Sequence, residues 1–156
     1  MSSPGAQTVR ESVVVPVAPT QAFDLYVNRP GRTHPEEGQS GAPARIVYEP
    51  FSGGRWYEIG PDGSEYEWGR VLTWEPPTRL VLAWMVGAST GEWAYDPDPE
   101  HASRAEITFQ PVDDGTLVTV VHTGFERHGL GSGSIQRGVA HGWALDLADL
   151  DRAARL

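Results

Sequence analysis

SIQRGVAHGWALDLADLDRAA, residues 134–154, is the stretch that decides the fold. Within it Ile135, Val139, Trp143, Leu147, Leu150 and Ala154 recur at steps of four, four, four, three and four, one continuous apolar stripe at helical spacing. Asp146, Asp149 and Asp151 fall off the stripe and are expected to face water. Gly129–Ser134 opens the helix, with Ser132 or Ser134 as N-cap candidates, since a short side-chain oxygen can accept a hydrogen bond from an unpaired helix N–H. A long helix with one apolar face needs a surface to bury it, and the chain before it supplies strands.

Working back from the helix, strands at about 116–124 and 103–111 meet at Asp113-Asp114-Gly115. Asp96-Pro97-Asp98-Pro99 marks a long loop that also carries Trp93 and Tyr95. Four more strands, about 44–50, 53–60, 64–75 and 79–86, are separated by Ser52-Gly53-Gly54, Pro61-Asp62-Gly63 and Glu75-Pro76-Pro77-Thr78. Residues 29–43 are rich in Pro, Gly and charge and are expected to form a loop with at most one helical turn. Ala18-Pro19-Thr20 starts a short helix with an apolar edge of Phe23, Tyr26 and Val27. The first strand runs over Val9–Val17, with Val13, Val15 and Val17 on one face.

The order is strand, short helix, six strands, long helix. Helices do not alternate with strands, which predicts an α+β domain with a curved seven-stranded antiparallel sheet wrapped around the C-terminal helix. One helix covers seven strands only if the sheet curves, and glycine pairs such as Gly53-Gly54 permit bending. Residues 1–8 are expected to be a flexible N-terminus and 9–156 a single domain.

Composition narrows the function. A chain of 156 residues can hide roughly 70% of its unfolded surface. The absence of cysteine excludes disulfides, thiolate metal sites and cysteine nucleophiles. Twelve basic residues, all arginine, stand against 21 carboxylates, for a formal charge of −9 that repels phosphate backbones. Nucleic acid and membranes are therefore not expected as partners, and a cytoplasmic location is expected from the lack of a secretory or membrane-length apolar segment. His34, His101, His122, His128 and His141 show no metal-ligand spacing, no nucleophile elbow occurs, and Gly129–Ser134 fits no nucleotide motif. No metal and no cofactor are expected.

Gly53-Gly54-Arg55-Trp56-Tyr57-Glu58-Ile59, Trp68-Gly69-Arg70-Val71 and Trp74-Glu75-Pro76-Pro77-Thr78-Arg79-Leu80 with Trp84 resemble the SRPBCC/START superfamily. The specific resemblance is to the branch named for activators of the heat-shock-protein-90 ATPase, a fit shared by Val121-His122-Thr123-Gly124-Phe125-Glu126-Arg127-His128-Gly129 and Gly142-Trp143. It spans residues 9–152 in order and implies a Bet v-like helix-grip fold with a ligand cavity between sheet and helix. The Gly-Gly-Arg-Trp-Tyr-Glu-Ile and His-Thr-Gly-Phe segments are also similar to self-resistance proteins of enediyne antibiotic producers, which bind the reactive metabolite and are cleaved in its place. Under that resemblance Gly115, at the last hairpin, and the glycines at 129–133 are candidates for sacrificial cleavage by their expected exposure. Residues 29–43 lack the tryptophan-rich segment of some relatives.

Trp56, Trp68, Trp84 and Trp143 are candidate cavity residues, since aromatics offer a flat apolar ligand much contact area and an indole N–H. Phe125 joins them, and the alternative for each is plain core packing. His122 shares strand parity with Val118 and Val120, so it points toward the concave side, as a ligand contact, an acid or base, or a structural histidine. Glu58 shares a face with Trp56, either as its carboxylate partner or as an exposed strand glutamate. The leading reading is a non-catalytic binder of a hydrophobic, polyketide-like small molecule, as monomer or homodimer. The alternatives are a polyketide cyclase or dehydratase, which needs His122 or Glu58 facing the cavity, and a regulator of a chaperone ATPase.

Overall fold

A computed structural model describes residues 8–28 and 45–156. The expected N-terminal tail up to Gln7 and the loop at 29–43 lie outside the described residues. The elements in chain order are β1 (Val9–Val15), α1 (Pro19–Asn28), β2 (Arg45–Tyr48), β3 (Arg55–Ile59), β4 (Glu65–Glu75) and β5 (Arg79–Trp84). There follow β6 (Val86–Gly87), β7 (Ala94–Tyr95), β8 (Ser103–Val112), β9 (Gly115–Thr123) and α2 (Ser132–Ala154). Seven strands form one antiparallel sheet in the order β1-β9-β8-β5-β4-β3-β2. The fold is the α+β helix-grip architecture, a curled sheet closed by a long C-terminal helix.

The core follows from side-chain alternation. On β9, Thr116, Val118, Val120 and His122 are all fully buried on the face toward α2. The helix meets them with Ile135, Val139, Trp143, Leu147 and Leu150, which are buried along the predicted stripe. The bend has a different source from the one the sequence suggested. Gly53-Gly54 sits in the turn before β3, whereas β4 carries two register shifts. Trp56 pairs with Gly69 and Tyr57 with Glu67, which leaves Trp68 as an extra residue; Leu72 is extra against β5 in the same way. Each bulge bends and twists the strand that carries it.

Three local expectations are corrected. Neither Ser132 nor Ser134 caps α2. The N-cap is Gly131, at φ 86°, where a Cβ would lie 2.3 Å from the Ala88 carbonyl oxygen. Close backbone approach therefore outweighs side-chain capping there. Asp146 and Asp149 are both buried, and α1 packs against α2 with Tyr26 over Asp146. Tyr26 donates to Asp146 at 2.7 Å, and Arg152 to Asp149 at 2.6 Å. Finally, the segment predicted as a plain loop around Trp93 contains β6 and β7, paired as a small antiparallel ribbon.

Candidate functional site

A cavity of about 280 Å³ lies between the concave face of the sheet and α2. Successive strands supply one aromatic each to its wall: Tyr48 from β2, Trp56 from β3, Trp68 from β4 and Trp84 from β5. The helix contributes Gly138, Val139, His141, Gly142, Trp143 and Asp146, and Trp93 reaches in from the segment joining β6 to β7. The rings pack mostly edge to face or tilted: Trp68 and Trp84 at 4.9 Å and 54°, Trp84 and Trp93 at 5.9 Å and 87°. Trp56 and Trp143 face each other at 6.5 Å and only 18°.

Two helical glycines shape the helix side. A Cβ on Gly138 would lie 2.3 Å from the Trp93 ring, so the missing side chain is what lets that indole rest on α2. Among the described residues, a Cβ on Gly142 would meet nothing within 4 Å; that position opens onto empty space. Glycine inside a helix costs about 1 kcal/mol relative to alanine, and no packing contact at Gly142 explains that cost.

Three cavity indoles are held by their N–H groups. Trp68 donates to Glu58 Oε1 at 2.7 Å, Trp84 to the Val86 carbonyl at 2.8 Å, and Trp143 to His122 Nδ1 at 3.0 Å. The buried Trp56 Nε1–H has no acceptor among the described residues. A buried donor without a partner costs on the order of 1–3 kcal/mol.

The bond from Trp143 also settles a tautomer. An indole N–H can only donate, so His122 Nδ1 accepts and the ring proton of neutral His122 sits on Nε2. That proton points at Ser103 Oγ, 2.7 Å away, and the Ser103 hydroxyl is in turn 2.7 Å from His128 Nε2. Ser103 Oγ therefore accepts from His122, and its own hydroxyl proton is free to be donated to His128 Nε2 when that nitrogen is unprotonated. Burial, with a smaller contribution from the neighbouring His128, pushes His122 down to about 3, so it is neutral at physiological pH. Burial also lowers His128, opposed in part by Asp96.

Of the residues singled out in the sequence, Trp56, Trp68, Trp84 and Trp143 come together around the cavity. Glu58, His122 and Phe125 form a layer behind it, all fully buried. Glu58 is not an exposed strand residue, and its carboxylate serves Trp68 in place of Trp56, because the bulge at Trp68 turns that indole inward. Phe125 stacks on His122 at 4.3 Å. Gly115 starts β9 outside the cavity lining, with its backbone against the Val15 carbonyl. Sequence reasoning missed Tyr48, Trp93, Gly138, Val139, His141, Gly142 and Asp146 as lining residues. A usable signal was present for two of them: Gly142 and Gly138 are unexplained helix breakers beside Trp143, one and five residues before it.

Among the described residues, no group of three or more His, Asp or Glu side chains is placed to hold a metal ion, and no helix is long and apolar enough to cross a membrane.

Residues 39–155 match the family model described as activator of Hsp90 ATPase homolog 1-like protein. Among solved structures, an anthrahydroquino-gamma-pyrone synthase, Txn09, solved as a complex, is 32% identical with a TM-score of 0.60; the alignment covers 91% of this chain and 96% of that one. A protein from Rhodobacter sphaeroides shares the fold at 20% identity and TM-score 0.66, over 99% of this chain and 97% of its own. Ms6760 from Mycobacterium smegmatis does so at 21% identity and TM-score 0.64, over 97% and 92%. No curated protein matches the sequence.

Proposed function

Because this chain belongs to the activator of Hsp90 ATPase homolog 1-like family of the SRPBCC superfamily, we propose that it binds a flat hydrophobic small molecule in the cavity between the sheet and α2. The observation that carries the proposal is Gly142, a helical glycine opening onto unfilled space in a wall of tryptophans. The cavity is at the small end of ligand pockets, which start at about 300 Å³, so two or three fused rings suit it. Affinity comes from aromatic surface removed from water, roughly 25 cal/mol per Å². Orientation comes from indoles that are already fixed by Glu58, Val86 and His122 before the ligand arrives.

The experiment is a thermal-shift and tryptophan-fluorescence titration with planar polycyclic aromatics, repeated on Gly142→Leu. A ligand at one hundred times its Kd adds about 2.7 kcal/mol to stability, a clear shift. We expect binding to the wild type and loss of binding in the variant, whose new side chain occupies the cavity. A panel that moves neither melting nor fluorescence would overturn the proposal.

A catalytic version of this reading is favoured by the 32% identity to a synthase. In that version the ligand is a polyketide-like substrate that closes a ring in the cavity. His122 and Glu58 are not its acid and base, because both are committed as acceptors behind the wall. Product formation from a candidate substrate, followed by mass spectrometry, tests it. The narrower self-resistance reading rests on sequestration of a reactive metabolite, since Gly115 is outside the lining; protection of DNA from an activated enediyne by excess protein is its test.

A further inference from the structure

We propose that the ligand carries a hydrogen-bond acceptor, a ring carbonyl, that pairs with the Trp56 indole N–H, so that the cavity selects planar aromatic ketones over hydrocarbons of the same shape. The proposal rests on the binding reading above and deepens it by naming the polar group. Trp56 stands on β3 in the cavity lining and is 1% exposed. An indole N–H can only donate, and this one is buried without an acceptor among the described residues. Buried polar groups are normally paired, so an unpaired one calls for an explanation of its own.

The neighbouring indoles show that this scaffold pairs its buried N–H groups elsewhere in the same wall. Trp68, Trp84 and Trp143 give theirs to Glu58, the Val86 carbonyl and His122. Glu58 lies two residues along β3 from Trp56, yet its Oε1 takes the Trp68 N–H, because the bulge in β4 turns that indole inward. Around Trp56 stand the rings of Tyr48 at 6.1 Å, Trp68 at 6.1 Å, Trp84 at 5.7 Å and Trp143 at 6.5 Å between centroids. An aromatic face is only a second-order acceptor. The cage therefore holds the Trp56 ring in place without pairing its N–H. A flat ring system in the cavity lies among these same residues, and a carbonyl oxygen on its rim supplies the lone pair that the wall does not. A hydrocarbon in the same place would leave the N–H unpaired in the complex.

The test compares 9-fluorenone with fluorene, planar probes of the same ring skeleton in which a carbonyl stands in place of a methylene. Both are titrated by equilibrium dialysis against the wild type and Trp56→Phe. The variant keeps an aromatic ring, loses the N–H and orphans no acceptor; circular dichroism and melting check its fold. The preference for the ketone is the ratio of the two Kd values. It should be about tenfold larger in the wild type than in the variant, the worth of one buried hydrogen bond. Taking the ratio within each protein cancels the lower hydrophobicity of the ketone and the volume lost with the indole. A second readout needs no variant: the carbonyl stretch of fluorenone bound to the wild type should lie below its value in acetonitrile, a polar solvent that donates no hydrogen bond. If the variant does not fold, the stretch alone decides. A ratio unchanged in Trp56→Phe, or a stretch at the acetonitrile value, would overturn the inference and leave the cavity reading standing. If neither probe binds the wild type, the cavity reading falls and this inference falls with it.

Discussion

Lowering the pH should unfold this protein through His122. The imidazole is fully buried, stacked on Phe125, with Nδ1 accepting from Trp143 and Nε2–H facing Ser103. Its folded pKa is about 3, whereas in the unfolded chain it returns to about 6.5. Because the folded value is depressed, the unfolded state binds the proton first as pH falls. The contribution is then fully present above about pH 6.5 and drains away between there and 3. Each unit is worth about 1.4 kcal/mol, so moving from pH 7.5 to 5.5 removes about 1.4 kcal/mol through this one group. His128 is shifted in the same direction by burial and adds to the loss. His101 is shifted the opposite way by Asp96 and Asp98, but it is exposed and contributes little. The control is His122→Asn, whose carbonyl can still accept from Trp143 but which does not titrate. Urea unfolding by linear extrapolation at both pH values gives the comparison. The wild type should lose about 1.4 kcal/mol more than the variant. Equal losses would refute the reasoning, since the slope would then come from other groups.

Other substitutions separate stability from binding. Gly142→Ala should raise stability by about 0.5–1 kcal/mol in urea unfolding, because it removes a helical glycine and meets no neighbour. Gly69→Ala should destabilise by more than about 4 kcal/mol, because its Cβ would fall on the Ala83 carbonyl oxygen of the adjacent strand; a folded far-ultraviolet spectrum with an unchanged melting temperature would contradict this. Glu58→Ala should cost about 2–3 kcal/mol by leaving the Trp68 N–H buried without its acceptor, a loss that chemical denaturation would measure directly.

The architecture was legible because its signals are periodic and local. The apolar stripe of α2 at Ile135, Val139, Trp143 and Leu147 and the alternation of Val118, Val120 and His122 on β9 each specify a face. What stayed hidden depends on partners distant in sequence. Asp146 read as solvent-facing because nothing in the helix itself announces that Tyr26 of α1 will lie over it. Trp68 and Glu58 come together through a bulge that breaks strict alternation, and a bulge has no composition of its own to read. Four of the five tryptophans around the cavity were visible as candidates, Trp93 being the exception, but the division between a lining layer and a supporting layer was not. His122 illustrates the gap: parity alone put it on the concave side, whereas the Trp143 indole between it and the cavity follows from the register of β9 against α2.

The departures from good local folding practice converge on one place. Among the described residues, Gly142 forgoes helix propensity without a packing reason and Trp56 keeps a buried N–H without an acceptor. Gly138 gives up its side chain so that Trp93 can lie on the helix. All three belong to the cavity wall. A sequence shaped for stability alone would fill the space at Gly142, since that change favours the folded state. Costs that accumulate on one surface, while the layer directly behind it pairs three indoles with dedicated acceptors, are what a binding site demands of its scaffold. The polar groups behind the wall fix its shape, and the Trp56 N–H, without an acceptor among the described residues, is left on the wall for a ligand to satisfy.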